Sequence, residues 1–76
     1  MTPLEQKVKI QEDYITLGQI LKEVGVISTG GAAKWFLQEN QVFLNGEEEN
    51  RRGKKLYPGD VLVIENFGTV LIEKEQ

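Results

Sequence analysis

Neither cysteine nor histidine occurs anywhere in the 76 residues. A chain this short buries only about 60% of the surface its unfolded form exposes. Here it has neither disulfides nor the usual zinc frameworks to hold it together. The fold must therefore come from close packing of Leu, Ile, Val, Phe and Trp and from well-formed turns, in one domain covering residues 1–76. The same two absences bear on chemistry. General acid–base work near neutral pH favours histidine, and the few hydroxyls have no neighbouring base of the usual kind. Glu47, Glu48 and Glu49 are consecutive beside a turn and read as solvated. No enzyme activity, cofactor or metal is expected, and the missing thiols fit a reducing cytoplasm.

Residues 1–18 have no basic start followed by a long apolar run, so no secretory leader is expected. The longest apolar run, Val61 to Ile64, is four residues, against the roughly 20 that span a bilayer. A soluble, cytoplasmic protein is the expectation, with no membrane partner.

Periodicity then divides the chain. Val8 and Ile10 alternate with Lys7, Lys9 and Gln11, a period-two pattern that predicts a half-buried strand. Leu17, Ile20, Leu21 and Val24 form one stripe of an amphipathic helix. Thr16 and Gln19 fit a capping box at its start, and Gly25 a left-handed stop. A second helix is predicted from an N-cap at Ser28 or Thr29 to about Glu39, closed by Asn40. Its apolar stripe is Ala33, Phe36 and Leu37, while Lys34 and Gln38, with Trp35 as a third candidate, project away from its centre. Trp35 is read as core or rim packing in preference to base stacking. Phe43, Tyr57 and Phe67 stay open between core, interface and stacking.

Val42 to Leu44 reads as a short strand leading into Asn45-Gly46, the strongest hairpin signal in the chain. Pro58-Gly59 suits the centre of a type II turn. Val61 to Glu65 and Thr69 to Glu73 are the remaining strands, joined through Asn66-Phe67-Gly68. The predicted fold class is α+β: two short helices packed on a compact set of short, mostly antiparallel strands.

Between the two turn signals lies NGEEENRRGKKLYPGD, and it sets the functional question. The chain carries nine basic against twelve acidic side chains, a net charge of −3, yet Arg51, Arg52, Lys54 and Lys55 crowd around Gly53. Much of the acid lies toward the ends, and salt screens charges beyond about 8–10 Å, so one basic face survives in an acidic domain. The signs are segregated along the segment, which wastes internal pairing. Lys34 adds a separate base near Gly30 and Gly31. The run from Gly25 to Gly30 fails as a phosphate-binding loop, because the following residue is Gly31 and the nearest lysine comes three places late. Free N–H groups at a bare helix start still suit one phosphate of a polymer; equally, the two glycines serve a turn or a close helix approach. Forked arginine donors and mobile lysine charges suit a phosphate backbone. RNA is the expected polymer, since no groove-filling helix is in evidence. The opposing reading is a solvated loop with its bases neutralised by Glu47 to Glu49.

The segment ITLGQILKEVGVISTGGAAKWFLQENQVFLNGEEENRRGKKLYPGDVLVI resembles the RNA-binding domain named after ribosomal protein S-four. The pieces are a capped first helix, a polar turn into a base-carrying second helix, Val42-Phe43-Leu44-Asn45-Gly46, and Gly59-Asp60-Val61-Leu62, with residues 16–65 as the S-four-like core. Thr16-Leu17-Gly18-Gln19, Gly30-Gly31-Ala32-Ala33-Lys34 and the run from Asn45 to Leu56 are most similar to the small stand-alone YaaA-type members. The resemblance implies a non-enzymatic RNA binder that recognises ribosomal RNA or a ribosome assembly intermediate. It also implies that the bases of the loop face the same RNA as the second helix, with the three glutamates on the far shoulder. The implied contact residues are Thr29, Gly30, Gly31, Lys34, Arg51, Arg52, Lys54 and Lys55. Many members carry Ser-Arg at the start of the second helix; Thr29-Gly30-Gly31 stands there instead, which shifts that role to Lys34 and the basic run. A protein-interaction adaptor on the same fold is the alternative. A ubiquitin-like sulfur carrier is disfavoured, because Glu73-Lys74-Glu75-Gln76 stands where such a carrier needs Gly-Gly.

Overall fold

Seven short strands and two helices follow one another in a computed structural model that describes residues 5–75. Residues 1–4 of the segment read for a leader, and Gln76 of the terminus weighed against a sulfur carrier, lie outside the described residues. Strand β1 (Glu5–Ile10) and the two-residue β2 (Ile15–Thr16) lead into helix α1 (Leu17–Glu23). Helix α2 (Ala32–Glu39) follows, then β3 (Val42–Leu44), β4 (Glu47–Glu48), β5 (Lys55–Leu56), β6 (Val61–Ile64) and β7 (Gly68–Lys74).

Five strands make one sheet in the order β1-β7-β6-β3-β4, and β2 and β5 form a separate antiparallel ribbon. Pairing in the sheet is antiparallel except between β1 and β7, which run parallel. Register puts Val8 opposite Ile72, Leu62 opposite Val70, and Val42 opposite Ile64. These side chains are all buried, on the one face that alternation directs inward. Leu17, Ile20 and Leu21 of α1, Ala33 and Leu37 of α2, and Leu56 complete the core. Phe67 packs against it. Phe43 pairs with Val63, which is exposed, on the opposite face of the sheet.

Both ends of α1 follow the sequence. Gln19 N–H donates to Thr16 Oγ1 at 3.4 Å, and Thr16 N–H donates to Gln19 Oε1 at 3.1 Å, which completes the capping box. At the other end Gly25 takes φ +86°, Val26 N–H donates to the Leu21 carbonyl and Gly25 N–H to the Lys22 carbonyl. That pair of bonds is a Schellman closure.

The second helix departs from expectation at its start. Its N-cap is Gly31, not Ser28 or Thr29, and no side chain caps it. The Thr29 and Gly30 carbonyls instead accept from Ala32 and Ala33 N–H. Two successive glycines keep residues 30–31 in a loose turn, since glycine costs about 1 kcal/mol in a helix relative to alanine. At the far end Asn40 closes the helix as expected, with its N–H and Nδ2 both donating to the Phe36 carbonyl. Trp35 is a second correction: it is 65% exposed. An eight-residue helix that buries Ala33 and Leu37 on one side turns Trp35 nearly opposite to them.

Candidate functional site

The basic loop is built on the start of the first helix. Leu17 N–H donates to the Lys54 carbonyl and Gly18 N–H to the Arg52 carbonyl, both at 2.8 Å. The capping box satisfies the N–H groups of Thr16 and Gln19, so all four that a helix start leaves without a helical partner are occupied. A turn inside the loop, from Lys54 N–H to the Arg51 carbonyl, sets the spacing of the two loop acceptors. Because alternate carbonyls point into the helix start, the side chains of Arg51, Arg52 and Lys55 stand exposed and Lys54 is half-buried. The β2–β5 ribbon closes the loop behind Lys55, and buried Leu56 anchors it in the core.

Gly18 is the point of closest approach. A Cβ there would sit 3.4 Å from the Arg52 carbonyl oxygen and 3.5 Å from Ala33 Cβ. So the first helix, the second helix and the basic loop meet at one residue that carries no side chain.

On the other flank of the loop two turns are welded together. Asn45 and Gly46 take φ +51° and +88°, the pair of left-handed residues that a type I′ hairpin turn requires. Asn45 Nδ2 donates to Asp60 Oδ1, Asn45 Oδ1 accepts from Val61 N–H, and Asp60 Oδ2 accepts from Tyr57 N–H. Asp60 N–H in turn donates to the Tyr57 carbonyl across Pro58 and Gly59, whose φ of +98° completes a type II turn. The two turns that bracket the charged segment are thus held to each other by side chains.

Two shallow grooves flank the loop. One lies toward α2 and is lined by Lys34, Leu37, Gln38, Glu48, Asn50 and Arg52. The other is lined by Arg51, Gly53, Lys54, Lys55 and Tyr57. The first brings Lys34 and Arg52, eighteen positions apart in the sequence, to a common surface. Thr29, Gly30 and Gly31 line neither groove. They sit at the start of α2, where a Cβ on Gly30 or Gly31 would meet open space. Close packing therefore does not account for those glycines.

Arg51 has a partner of its own. Its Nε donates to Glu49 Oε2 at 2.9 Å and its Nη2 to Oε1 at 3.3 Å, a forked ion pair. The Arg51 side-chain hydrogen bond holds the Glu49 carboxyl below the usual carboxylate range, against a smaller opposing effect of burial. The same contact raises the Arg51 guanidinium. Internal neutralisation thus holds for Glu49, while Glu47 and Glu48 are exposed and form no ion pair among the described residues. Glu48 is not on a far shoulder: it lines the groove with Lys34 and Arg52.

Residues 8–73 match the family model of the S4 domain. The chain belongs to the S4 domain family. Over 62 residues it is also 56% identical to a Bacillus subtilis (strain 168) protein named "Probable ribosome maturation protein RlbA", a match covering 82% of this chain and 87% of that protein. The S4 domain match takes in the second half of β1 and most of β7 as well as the helices and the loop. The sheet edge that they form thus belongs to the domain. Among the described residues no helix is long and apolar enough to cross a membrane.

Sequence reasoning left Tyr57 open between core, interface and stacking, and did not single out Asn50 or Tyr14, which stands beside the second groove. Tyr14 and Tyr57 flank the β2–β5 ribbon, with ring centroids 6.0 Å apart, and Lys55 Nζ lies 4.7 Å from the Tyr14 ring centroid. The available signal was the matching order of Tyr14-Ile15-Thr16 and Lys55-Leu56-Tyr57, which brings the two aromatics opposite each other once the strands pair antiparallel.

Proposed function

We propose that this S4 domain protein is a non-enzymatic RNA-binding protein that acts in the cytoplasm on ribosomal RNA or a ribosome assembly intermediate. The observation that carries the reading is the groove in which Lys34 of α2 and Arg52 of the loop converge, with Gln38 and Asn50 beside them as amide donors. Two cations from separate elements on one surface suit successive phosphates of a folded strand. Family membership and the likeness to a ribosome maturation protein favour the ribosomal target.

Lys34, Arg52, Lys54 and Lys55 supply the charge. Arg51 joins them by exchanging Glu49 for phosphate, an exchange between two anionic partners of similar geometry. Thr29, Gly30 and Gly31 present unobstructed backbone to a strand that continues past Lys34. Because carbonyls of the loop are fixed by Leu17 and Gly18, the bases are held in place before binding, which lowers the ordering cost.

Four or five phosphate contacts give a log–log salt slope of roughly −3 to −4. The test is a fluorescence-anisotropy titration with ribosomal RNA fragments at low and physiological salt. Wild type runs beside Arg51→Glu/Arg52→Glu/Lys54→Glu/Lys55→Glu, with both folds checked by circular dichroism. Salt-dependent binding lost in the folded variant is the expected result; equal binding by both would sink the mechanism.

A protein adaptor is the second reading, and exposed Trp35 is the observation that favours it. It predicts that Trp35→Ala leaves RNA affinity unchanged while a protein contact is lost.

A further inference from the structure

The groove on the β5 side of the loop differs from its neighbour in one respect: it ends on an aromatic ring. Arg51, Gly53, Lys54 and Lys55 line it together with Tyr57, which is 48% exposed. Tyr14, 39% exposed, stands outside the groove lining and tilts 52° against the Tyr57 ring. Nothing in folding requires either ring to stay half in water. Leu56, with Ile15 packed beside it, takes the ribbon into the core, and the backbone pairing of β2 with β5 ends before both tyrosines. A tyrosine braced at its edge, beside three cations and a glycine without a side chain, has the composition of a nucleotide site. The ring supplies a stacking face, the cations take the flanking phosphates, and Gly53 leaves the backbone accessible.

We propose that Tyr57, braced by Tyr14 and flanked by Lys55, is a stacking platform for one unpaired base of the bound RNA. The proposal rests on the RNA-binding reading above and narrows it: the preferred RNA carries a bulged or looped-out nucleotide next to a helical stem. A base paired within an A-form stem has its faces covered by its neighbours and offers none to Tyr57. The α2-side groove then follows the backbone of the stem, and the Tyr57 groove receives the displaced nucleotide. The basic loop between them contacts the strand at the point where it leaves the helix.

The platform separates from charge neutralisation by experiment, because stacking needs a base and phosphate contact does not. Two RNA hairpins of identical sequence are used, one with a bulged adenosine and one with an abasic residue at the same place. Their phosphate charge is equal. Wild type is expected to bind the adenosine form about tenfold more tightly, within the range for one base on one aromatic ring. Tyr57→Leu is expected to bind both forms equally, with an unchanged salt slope. Tyr57→Phe, which keeps the ring, should behave as wild type and guards against a trivial folding defect. Salt-dependent binding by wild type without preference for the base overturns the platform and leaves the RNA-binding reading intact. No binding to either hairpin or to ribosomal RNA fragments overturns both, and a protein partner then becomes the ligand of this surface.

Discussion

The carbonyl of Arg52 accepts the backbone N–H of Gly18 at 2.8 Å, and a Cβ on Gly18 would lie 3.4 Å from that same oxygen. The hydrogen bond and the missing side chain are one arrangement. The loop comes close enough to serve as a cap because nothing projects from the helix at that point.

Substitution at Gly18 should therefore depend steeply on size. Gly18→Ala adds a methyl at ordinary contact distance and gains helix propensity, so its stability should stay level or rise by less than about 1 kcal/mol. Gly18→Val places branched carbons against the Arg52 carbonyl and pushes the loop outward. It should lower the urea midpoint and weaken RNA binding together, a coupling that parallel denaturation and anisotropy titrations would expose. If Gly18→Val bound RNA as tightly as wild type, RNA binding would not depend on how the loop is seated on α1.

The capping box gives a cleaner measure of helix stability. Thr16→Ala removes the acceptor of Gln19 N–H while leaving Leu17 and Gly18 bonded to the loop. It should cost about 1 kcal/mol in chemical denaturation, with an unchanged m-value.

Asn45 and Asp60 test the joint between the two turns. Asp60→Ala strips acceptors from Asn45 Nδ2 and Tyr57 N–H and should cost about 2 kcal/mol. Asn45→Gly loses the side-chain bonds but accepts φ +51°, whereas Asn45→Ala loses the bonds and strains the backbone as well. The expected order of melting temperature is wild type, then Asn45→Gly, then Asn45→Ala.

Glu49 couples pH to the loop. Its carboxyl is held below its ordinary value of 4.5 by Arg51. A depressed folded-state value stabilises above the unfolded value, and that contribution is lost as pH falls through the folded one. The stability difference between wild type and Glu49→Gln should therefore be present at neutral pH, small because the Arg51 side of the pair stands in solvent, and vanish in strong acid. Glu49→Gln also frees Arg51. RNA binding by that variant should tighten, because Arg51 no longer gives up Glu49 on reaching phosphate, and Arg51→Ala should flatten the wild-type salt slope by about 0.7 to 0.9. An unchanged slope would mean that Arg51 never reaches phosphate.

The elements that could be read from sequence are those whose signal is local. Thr16 and Gln19, Gly25, Asn45-Gly46 and Pro58-Gly59 each carry their geometry in two to four adjacent residues, and each adopts it. The alternation of Val8 with Ile10 is enough for β1, but not for its parallel partner β7, because pairing across the whole domain leaves no local trace. The β2–β5 ribbon is too short to show a period. Helical spacing alone turns Trp35 away from Ala33 and Leu37; the reading of it as packed came from the habit of tryptophan in small domains, which this helix does not follow. At the site, the cluster of bases is legible as composition, and its division into one arginine in an ion pair and three bases with no ion pair among the described residues is not. Glu49 reaches Arg51, two residues on, through a conformation that spacing alone does not define.

The parallel pairing of Glu5 with Thr69 and of Ile10 with Lys74 also governs when the domain can exist. Of its strands, the one made first waits for the one made last. A ribosome synthesising this chain releases the helices and the basic loop from its exit tunnel while β1 still has a bare edge, and only the emergence of β7 closes the sheet. Such long-range closure folds slowly compared with local hairpins and helices. The closed sheet therefore belongs only to a chain whose β7 has already left the tunnel, whereas the helices and the loop they hold can form before it.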